Sequence, residues 1–240
     1  SDNVYGHLPV IAVVSEEDLH RGLDWEQLPA DDYVVEPYSE EELVSRIKLA
    51  LARARRDLHA NPLTGLPGNP TIMMEAERRL TARVHFAFAH ADLDHFKAFN
   101  DRYGFARGDE VLRMSARVIA NTIRGLNATD TYVGHIGGDD FVFIVPSELA
   151  VEACERILRD FDQIVPNFYD DEDRVRGSIH STDRKGLPQV FPLMTCSIAV
   201  VDTSTSPMQH IGDLCTRVAE VKSFAKKVPG SNFLIDRRKR

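Results

Sequence analysis

Cysteine is scarce in this chain: Cys154, Cys196 and Cys215 lie far apart among 240 residues. An odd, sparse set without C-x-x-C spacing predicts reduced thiols, buried as small hydrophobes, in a cytoplasmic setting. Long apolar runs are missing too. Nothing approaches the ~18 apolar residues of a membrane span, and no signal-peptide pattern opens the sequence, so membrane insertion is not expected. Excess positive charge is absent. Lys and Arg number 29 against 37 Asp and Glu, a net charge of -8. That balance argues against a protein that coats a nucleic-acid polymer, but leaves room for a local basic pocket around a nucleotide. The nine histidines show no zinc-like pairing. His85, His90 and His135 are expected on strand surfaces or packed helices rather than on a metal. No internal repeat is visible. What remains is a chain 43% apolar, enough to build the core of one large or two small domains.

The first stretch reads as a separate unit. Leu8–Ser15 has a buried-strand pattern, Glu16–Trp25 suits a short helix, and Tyr33–Val35 a second strand closed by Glu36-Pro37. Ser39 and three glutamates then open a helix expected to reach about His59, with an N-cap and acids at its positive end. Its stripe of Leu43, Ile47, Ala50, Leu51, Ala54 and Leu58 is expected to face a core. Fewer than three heptads are present, which disfavours a coiled coil with a second copy. A turn-rich boundary follows at 61–68. Beyond it the pattern predicts a helix at 70–82, a strand at 85–92, helices at 94–102 and 109–124, and a hairpin around 137–141. A helix at 151–164, a strand at 193–201, a helix at 211–227 and a strand at 232–235 complete the order. Asp94 is the expected N-cap of the third of these, and Gly104 lies beyond its end. The polar stretch 170–189 is expected to make its own small hairpin. Hairpins mixed with crossover helices predict an α+β fold around one central sheet.

The chemistry concentrates in a few places. Gly137-Gly138-Asp139-Asp140-Phe141 puts two carboxylates at the tip of a turn between two apolar strands. Like charges packed together repel, so a cation is expected there. If Asp92, at the end of its strand, lies beside this hairpin, Asp92, Asp139 and Asp140 form an oxygen-only site suited to Mg²⁺ or Mn²⁺. Such a metal polarises a phosphoryl group and neutralises a pyrophosphate leaving group. The plain alternative is that acids at strand ends are ordinary solvated residues. Downstream, the strand-to-helix turn after Asp92 offers free backbone N–H groups for phosphate, and Lys97 adds positive charge. Asn100 and Asp109 supply an amide and a carboxylate, a pair that matches the edge of guanine. Caps at helix ends explain the same two residues equally well.

These motifs, taken in order, resemble the GGDEF domains, the diguanylate cyclases that make cyclic di-GMP from two GTP. The resemblance covers about residues 60–236. It rests on NPLTGLPGN at 61–69, DLDHFKAFNDRYGFARGDEVL at 92–112, GGDDF at 137–141, the strand at 194–200 and AEVKSFAKK at 219–227. It implies a central, mostly antiparallel sheet flanked by helices, related to nucleotidyl cyclase and polymerase palm domains. It also implies that Asp92, the Leu93 carbonyl and Asp139 bind metal. Asp139 is then the candidate base for the ribose 3′-hydroxyl, with Asp140 in support. Phe96, Lys97 and Lys226 would meet phosphates, while Asn100 and Asp109 read guanine. Two copies would face each other, so the expected partners are GTP and a second copy of the chain.

The chain departs from the family pattern in several places. Asp140 stands where Glu is usual, with about 1.5 Å less reach. Phe105 replaces a common His. Pro229-Gly230-Ser231 stands where an Arg is common after the last helix. Asn127-Ala128-Thr129-Asp130 lacks the arginine of the inhibitory Arg-x-x-Asp site, so conventional product inhibition is not expected there. The opening segment resembles the last strands and helix of a response-regulator receiver domain, with Glu36 where lysine is usual. The expected division is a partial receiver-like α/β segment at 1–38, a connecting helix at 39–60 and a GGDEF domain at 61–240. Two readings of function follow: an active cyclase, or a catalytically weakened domain that binds GTP as a regulatory module. A related cyclase using ATP as one substrate is a third, which Asp109 disfavours.

Overall fold

The computed structural model describes residues 8–182, 188–205, 208, 210–236 and 238. Residues 183–187, within the polar stretch 170–189, lie outside the described residues. The chain divides into two compact units, Ser1–Ala60 and Asn61–Arg240.

In the first unit, β1 (Ile11–Ser15) leads through α1 (Glu16–Arg21) to β2 (Asp32–Glu36), and α2 (Glu40–Leu58) follows. β1 and β2 pair in parallel. Ser15 caps α1 in a reciprocal box with Asp18, a local exchange that satisfies two otherwise orphaned N–H groups. The helix ends at Arg21, short of the predicted Trp25, because Gly22 at φ 81° turns the chain out. The core expectation for the α2 stripe fails at Ile47 and Leu51, which are exposed; Ala50 is buried.

The second unit is organised by the period-two pattern of β3 (Ala87–Asp94). Ala87, Ala89, Ala91 and Leu93 face one apolar cluster, while Phe88 faces a second on the opposite side. Alternation therefore puts His90 and Asp92 on the Phe88 face. In chain order the elements around this strand are α3 (Asn69–Thr81), β3, α4 (Phe96–Tyr103), α5 (Phe105–Gly125), β4 (Tyr132–Gly137), β5 (Asp140–Val145), α6 (Ala150–Ile164) and α7 (Asp171–Arg176). Then come β6 (Ser178–Thr182), β7 (Pro188–Pro192), β8 (Thr195–Asp202), α8 (Ile211–Ala225) and β9 (Asn232–Ile235). The central sheet has the order β4-β5-β3-β8-β9. Only its β8–β9 pair is parallel. α4, α5 and α6 cover one face, α3 and α8 the other. This is the predicted α+β fold with a mostly antiparallel sheet. β6 and β7 form the separate hairpin expected within the polar stretch, preceded by α7.

Three local expectations need correction. Asp94 is the last residue of β3 rather than an N-cap; α4 is entered through His95 in a left-handed backbone at φ 65°. α5 begins at Phe105, which places Asp109 one turn inside the helix. Cys154 and Cys196 are buried, but Cys215 is exposed on α8.

An ion network ties α3 to the loop before β4. Glu75 accepts hydrogen bonds from Arg78 and from the buried Arg79, and Arg79 also reaches the Asp130 carbonyl at 2.7 Å. The Arg78 hydrogen bonds, outweighing burial and joined by those from Arg79, hold the Glu75 carboxyl down at about 2. A depressed carboxyl stabilises the fold above its ordinary range near 4.5, and that contribution fades as pH falls towards about 2. Glu75→Gln is therefore expected to lower stability at neutral pH by on the order of 2 kcal/mol. It should also flatten the acid limb of a denaturation profile between those two pH values.

Candidate active site

The site is built where β3, the β4–β5 turn and the end of α8 meet. Asp92 stands directly opposite Asp140 in the antiparallel register of β3 and β5. The β4–β5 turn carries Gly138 at φ 56°, a left-handed conformation that glycine adopts without Cβ strain. It presents Asp139 at its tip, and the Asp139 carbonyl accepts from the Leu93 N–H at 3.3 Å. His135 steadies the turn from below. Its Nε2 lies 2.9 Å from the Gly138 carbonyl, its Nδ1 lies 3.1 Å from Thr64 Oγ1, and its ring stacks on Phe141.

The predicted meeting of acids occurs: Asp92, Asp139 and Asp140 each offer an oxygen within 4.8 Å of the others. Asp92 is buried, and its Oδ1 has no hydrogen bond. Lys226 Nζ comes within 2.5 Å of that oxygen as an ion pair but without hydrogen-bond alignment. A buried carboxylate oxygen left in this way, among three converging carboxylates, fits a hard divalent cation.

Two residues that the sequence reading left outside the site complete the cluster. Lys222 Nζ lies 2.8 Å from Asp92 Oδ2 and hydrogen-bonds Asp140 Oδ1. His90 Nε2 lies 2.8 Å from the same Asp140 oxygen. A signal for each existed: Lys222 is four residues before Lys226, on the same helix face, and His90 is two before Asp92, on the same strand face.

The electrostatics separate the acids. Burial, with the nearby Asp92 charge, pushes the Asp139 carboxyl up. Burial would do the same to Asp140, but hydrogen bonds from His90 and Lys222 outweigh it and hold that carboxyl well below the usual range. Lys222 likewise resists burial through Asp140 and Asp92 and stays an ammonium.

A cleft of about 610 Å³ opens beside Asp139, lined by Leu93, His95, Phe96, Lys97, Lys226 and Gly230 among others. It brings the predicted phosphate residues Phe96, Lys97 and Lys226 to the same opening as Asp139. Asp94 also lines it, accepting from Ser197 Oγ at 2.5 Å and from Thr195 Oγ1 at 3.2 Å. Asn100 and Asp109 do not line this cleft. Asn100 stands against Gly108, and its buried Oδ1 has no partner. A Cβ on Gly108 would lie 1.8 Å from that oxygen. Gly108→Ala is therefore expected to turn the Asn100 amide away. On the guanine-reading role that the resemblance implies for Asn100, GTP affinity should fall about tenfold, the worth of one hydrogen bond to a buried acceptor, with little change in melting temperature. Titration calorimetry and a thermal melt check the two halves.

The arginine-lacking segment before β4 is internally engaged: Asp130 Oδ1 lies 3.3 Å from Arg79 and 3.7 Å from Arg78. A second groove of about 920 Å³ between α5 and α6 is lined by Arg113, Arg117, Arg156 and Arg159. It holds none of the converging carboxylates, whereas Asp139 lines the smaller cleft.

With this geometry in place, comparison with known proteins gives a single family. Residues 58–183, more than half of the chain, match the family described as diguanylate cyclase, GGDEF domain, and the chain belongs to it. Among curated relatives, diguanylate cyclase DgcZ of Escherichia coli is 31% identical over 149 residues, covering 61% of this chain and 47% of that protein. Response regulator PleD of Caulobacter vibrioides is 28% identical over 170 residues, covering 62% and 37%. The chain thus spans less than half the length of these relatives. Among solved structures, the coiled coil and GGDEF domain of DgcB from Caulobacter crescentus, in complex with c-di-GMP, superposes with a TM-score of 0.55 at 21% identity. It covers 82% of this chain and 95% of that one. The S helix-GGDEF-EAL portion of LapD from Vibrio cholerae gives 0.57 at 17% identity, covering 80% and 40%. These likenesses establish the GGDEF fold. Among the described residues no helix is long and apolar enough to cross a membrane.

Proposed function

We propose that the protein is a diguanylate cyclase, condensing two GTP into cyclic di-GMP with release of two pyrophosphates. The observation that carries this reading is the convergence of Asp92, Asp139 and Asp140, with Asp139 lining a cleft that also bears Lys97 and Lys226. Asp92, Asp139 and the Leu93 carbonyl are the residues that would hold Mg²⁺ or Mn²⁺. Bound there, such an ion supplies polarisation of the α-phosphate and charge neutralisation on the leaving group. Asp139, its proton affinity raised by burial and by Asp92, takes the proton of the ribose 3′-hydroxyl. Asp140 supports it from the neighbouring position on β5. Phe96, Lys97 and Lys226 orient the triphosphate, and Asn100 and Asp109 read guanine; the unpartnered Asn100 oxygen supports that role. Each 3′-oxygen attacks the α-phosphorus held by the other copy. Two P–O bonds form, two break to release pyrophosphate, and a homodimer is required.

For the first unit, parallel pairing of β1 and β2 through α1 supports a partial receiver-like segment at 1–38. On that reading α2 connects it, at 39–60, to the GGDEF domain at 61–240. A cytoplasmic location suits a chain that consumes GTP.

A second reading is favoured by one observation: Asp140 is already engaged by His90 and Lys222. A carboxylate so occupied suits a weakened domain that binds GTP without turning it over and acts as a regulatory module. Incubation of the purified protein with GTP and Mg²⁺ or Mn²⁺, followed by product analysis, separates the two. Cyclic di-GMP is expected. Bound GTP with no product at high protein concentration would sink the cyclase reading, and a parallel incubation with ATP added exposes a mixed product.

A further inference from the structure

Asp92 and Asp140 face each other across β3 and β5. Like charges in that position destabilise a sheet unless a cation stands between them. Lys222 supplies one. Its Nζ reaches Asp92 Oδ2, Asp140 Oδ1 and, at 3.3 Å, His90 Nε2, so a cation already stands between the two carboxylates.

Lys222 and Lys226 differ in their freedom to leave. Lys226 follows the last residue of α8, is 41% exposed and lines the cleft; it can turn to a phosphate. Lys222 lies inside α8 and is 21% exposed. It is flanked by Val218, Val221 and Ala225, all buried against the sheet. Its three partners come from two strands, and moving it would leave Asp140 without its lysine and Asp92 with Lys226 alone in a partly desolvated place. The other side of Asp92 is different: Oδ1 has no hydrogen bond and is paired with the more exposed Lys226 rather than with Lys222.

We propose that Lys222 is a built-in cation, standing between Asp92 and Asp140 in place of a second divalent metal, so that the site admits a metal only on its Oδ1 and Asp139 side. This rests on the metal-dependent reading above and deepens it. Lys222 is a specificity-determining residue for the ion count, and it accounts for a short Asp at position 140: the ammonium, rather than a metal, is that carboxylate's partner.

The experiment is Mn²⁺ titration of the metal-free full chain without nucleotide, followed by electron paramagnetic resonance of free Mn²⁺, beside thermal melts. Lys222→Met keeps a long unbranched side chain and removes the charge; Lys222→Gln keeps a polar tip. Each variant is expected to bind one more Mn²⁺ per chain than the wild type. Each is also expected to melt lower than the wild type without metal and to recover with millimolar Mn²⁺. An unchanged Mn²⁺ count overturns the inference. So do variants that stay unfolded at millimolar Mn²⁺, because a cation in the ammonium's place should restore them. The wild-type product assay is read separately. Cyclic product with an unchanged ion count defeats only the role of Lys222; an extra ion without cyclic product defeats only the cyclase.

Discussion

Asp139→Ala is expected to remove cyclic product formation by about 10²–10⁴-fold, the range for losing a positioned general base, while leaving the fold intact. The side chain sits at the tip of the β4–β5 turn, and the turn is held by groups other than its carboxylate. Gly138 sets the left-handed backbone, His135 binds the Gly138 carbonyl, and the Asp139 contact to Leu93 uses the backbone carbonyl. Removing the carboxyl also relieves repulsion from Asp92, so the melting temperature should hold or rise slightly. The measurement is product formed from GTP and Mg²⁺ in parallel with a thermal melt. A variant that folds and still makes product at the wild-type rate would remove Asp139 from the chemistry. One that loses product only because it unfolds would show a collapsed melt.

Asp173→Ala is expected to cost about 2–3 kcal/mol of stability, the scale of hydrogen bonds to a charged acceptor. This carboxylate is 2% exposed and sits on α7. It accepts from Tyr103 Oη at 2.5 Å, Arg102 Nε at 3.3 Å and Arg176 Nη1 at 2.9 Å. Arg102 and Tyr103 close α4, the helix that carries Lys97 and Asn100. The two arginines are part-exposed and can turn to water after the substitution, so the loss falls short of that for stranding a fully buried charge. Loosening the end of α4 should also weaken GTP binding several-fold. Urea denaturation and nucleotide titration check the two effects. A stability change below about 0.5 kcal/mol, the scale of an ordinary surface substitution, would mean that α7 does not brace α4.

Much of the fold was legible because its signals are local. The period-two run in β3, the glycine-marked turn at 137–138 and the apolar face of α5 each report their own conformation. Val111, Leu112, Val118, Ile119 and Ile123 are all buried as that face predicts. Misreadings occurred where a local preference lost to its surroundings. Asp94 is a good capping residue, yet Ser197 and Thr195 across the sheet hold its carboxylate and keep the residue in the strand. Asp109 looked like a helix start, but Gly104 already turns the chain, and α5 begins at Phe105. Ile47 and Leu51 form an apolar stripe with Ala50, and only the alanine is buried.

For the site, the residue order alone singled out Asp92, Asp139 and Asp140, since an acidic pair on a glycine turn and an acid at a strand end are visible as types and spacings. It could not show that Lys222 stands between them, because the lysine belongs to a helix more than eighty positions downstream. Whether a charged side chain on α8 meets solvent or two carboxylates depends on the helix lying over the sheet. That placement comes from burying Leu214, Val218 and Val221, a long-range packing outcome; the spacing to Lys226 puts Lys222 on the same helix face but does not say what that face meets. The sequence by itself thus determined the family, the sheet and the acids. Tertiary packing decided which cations answer those acids, because charges separated along the chain interact only once the core has brought them within a few ångströms.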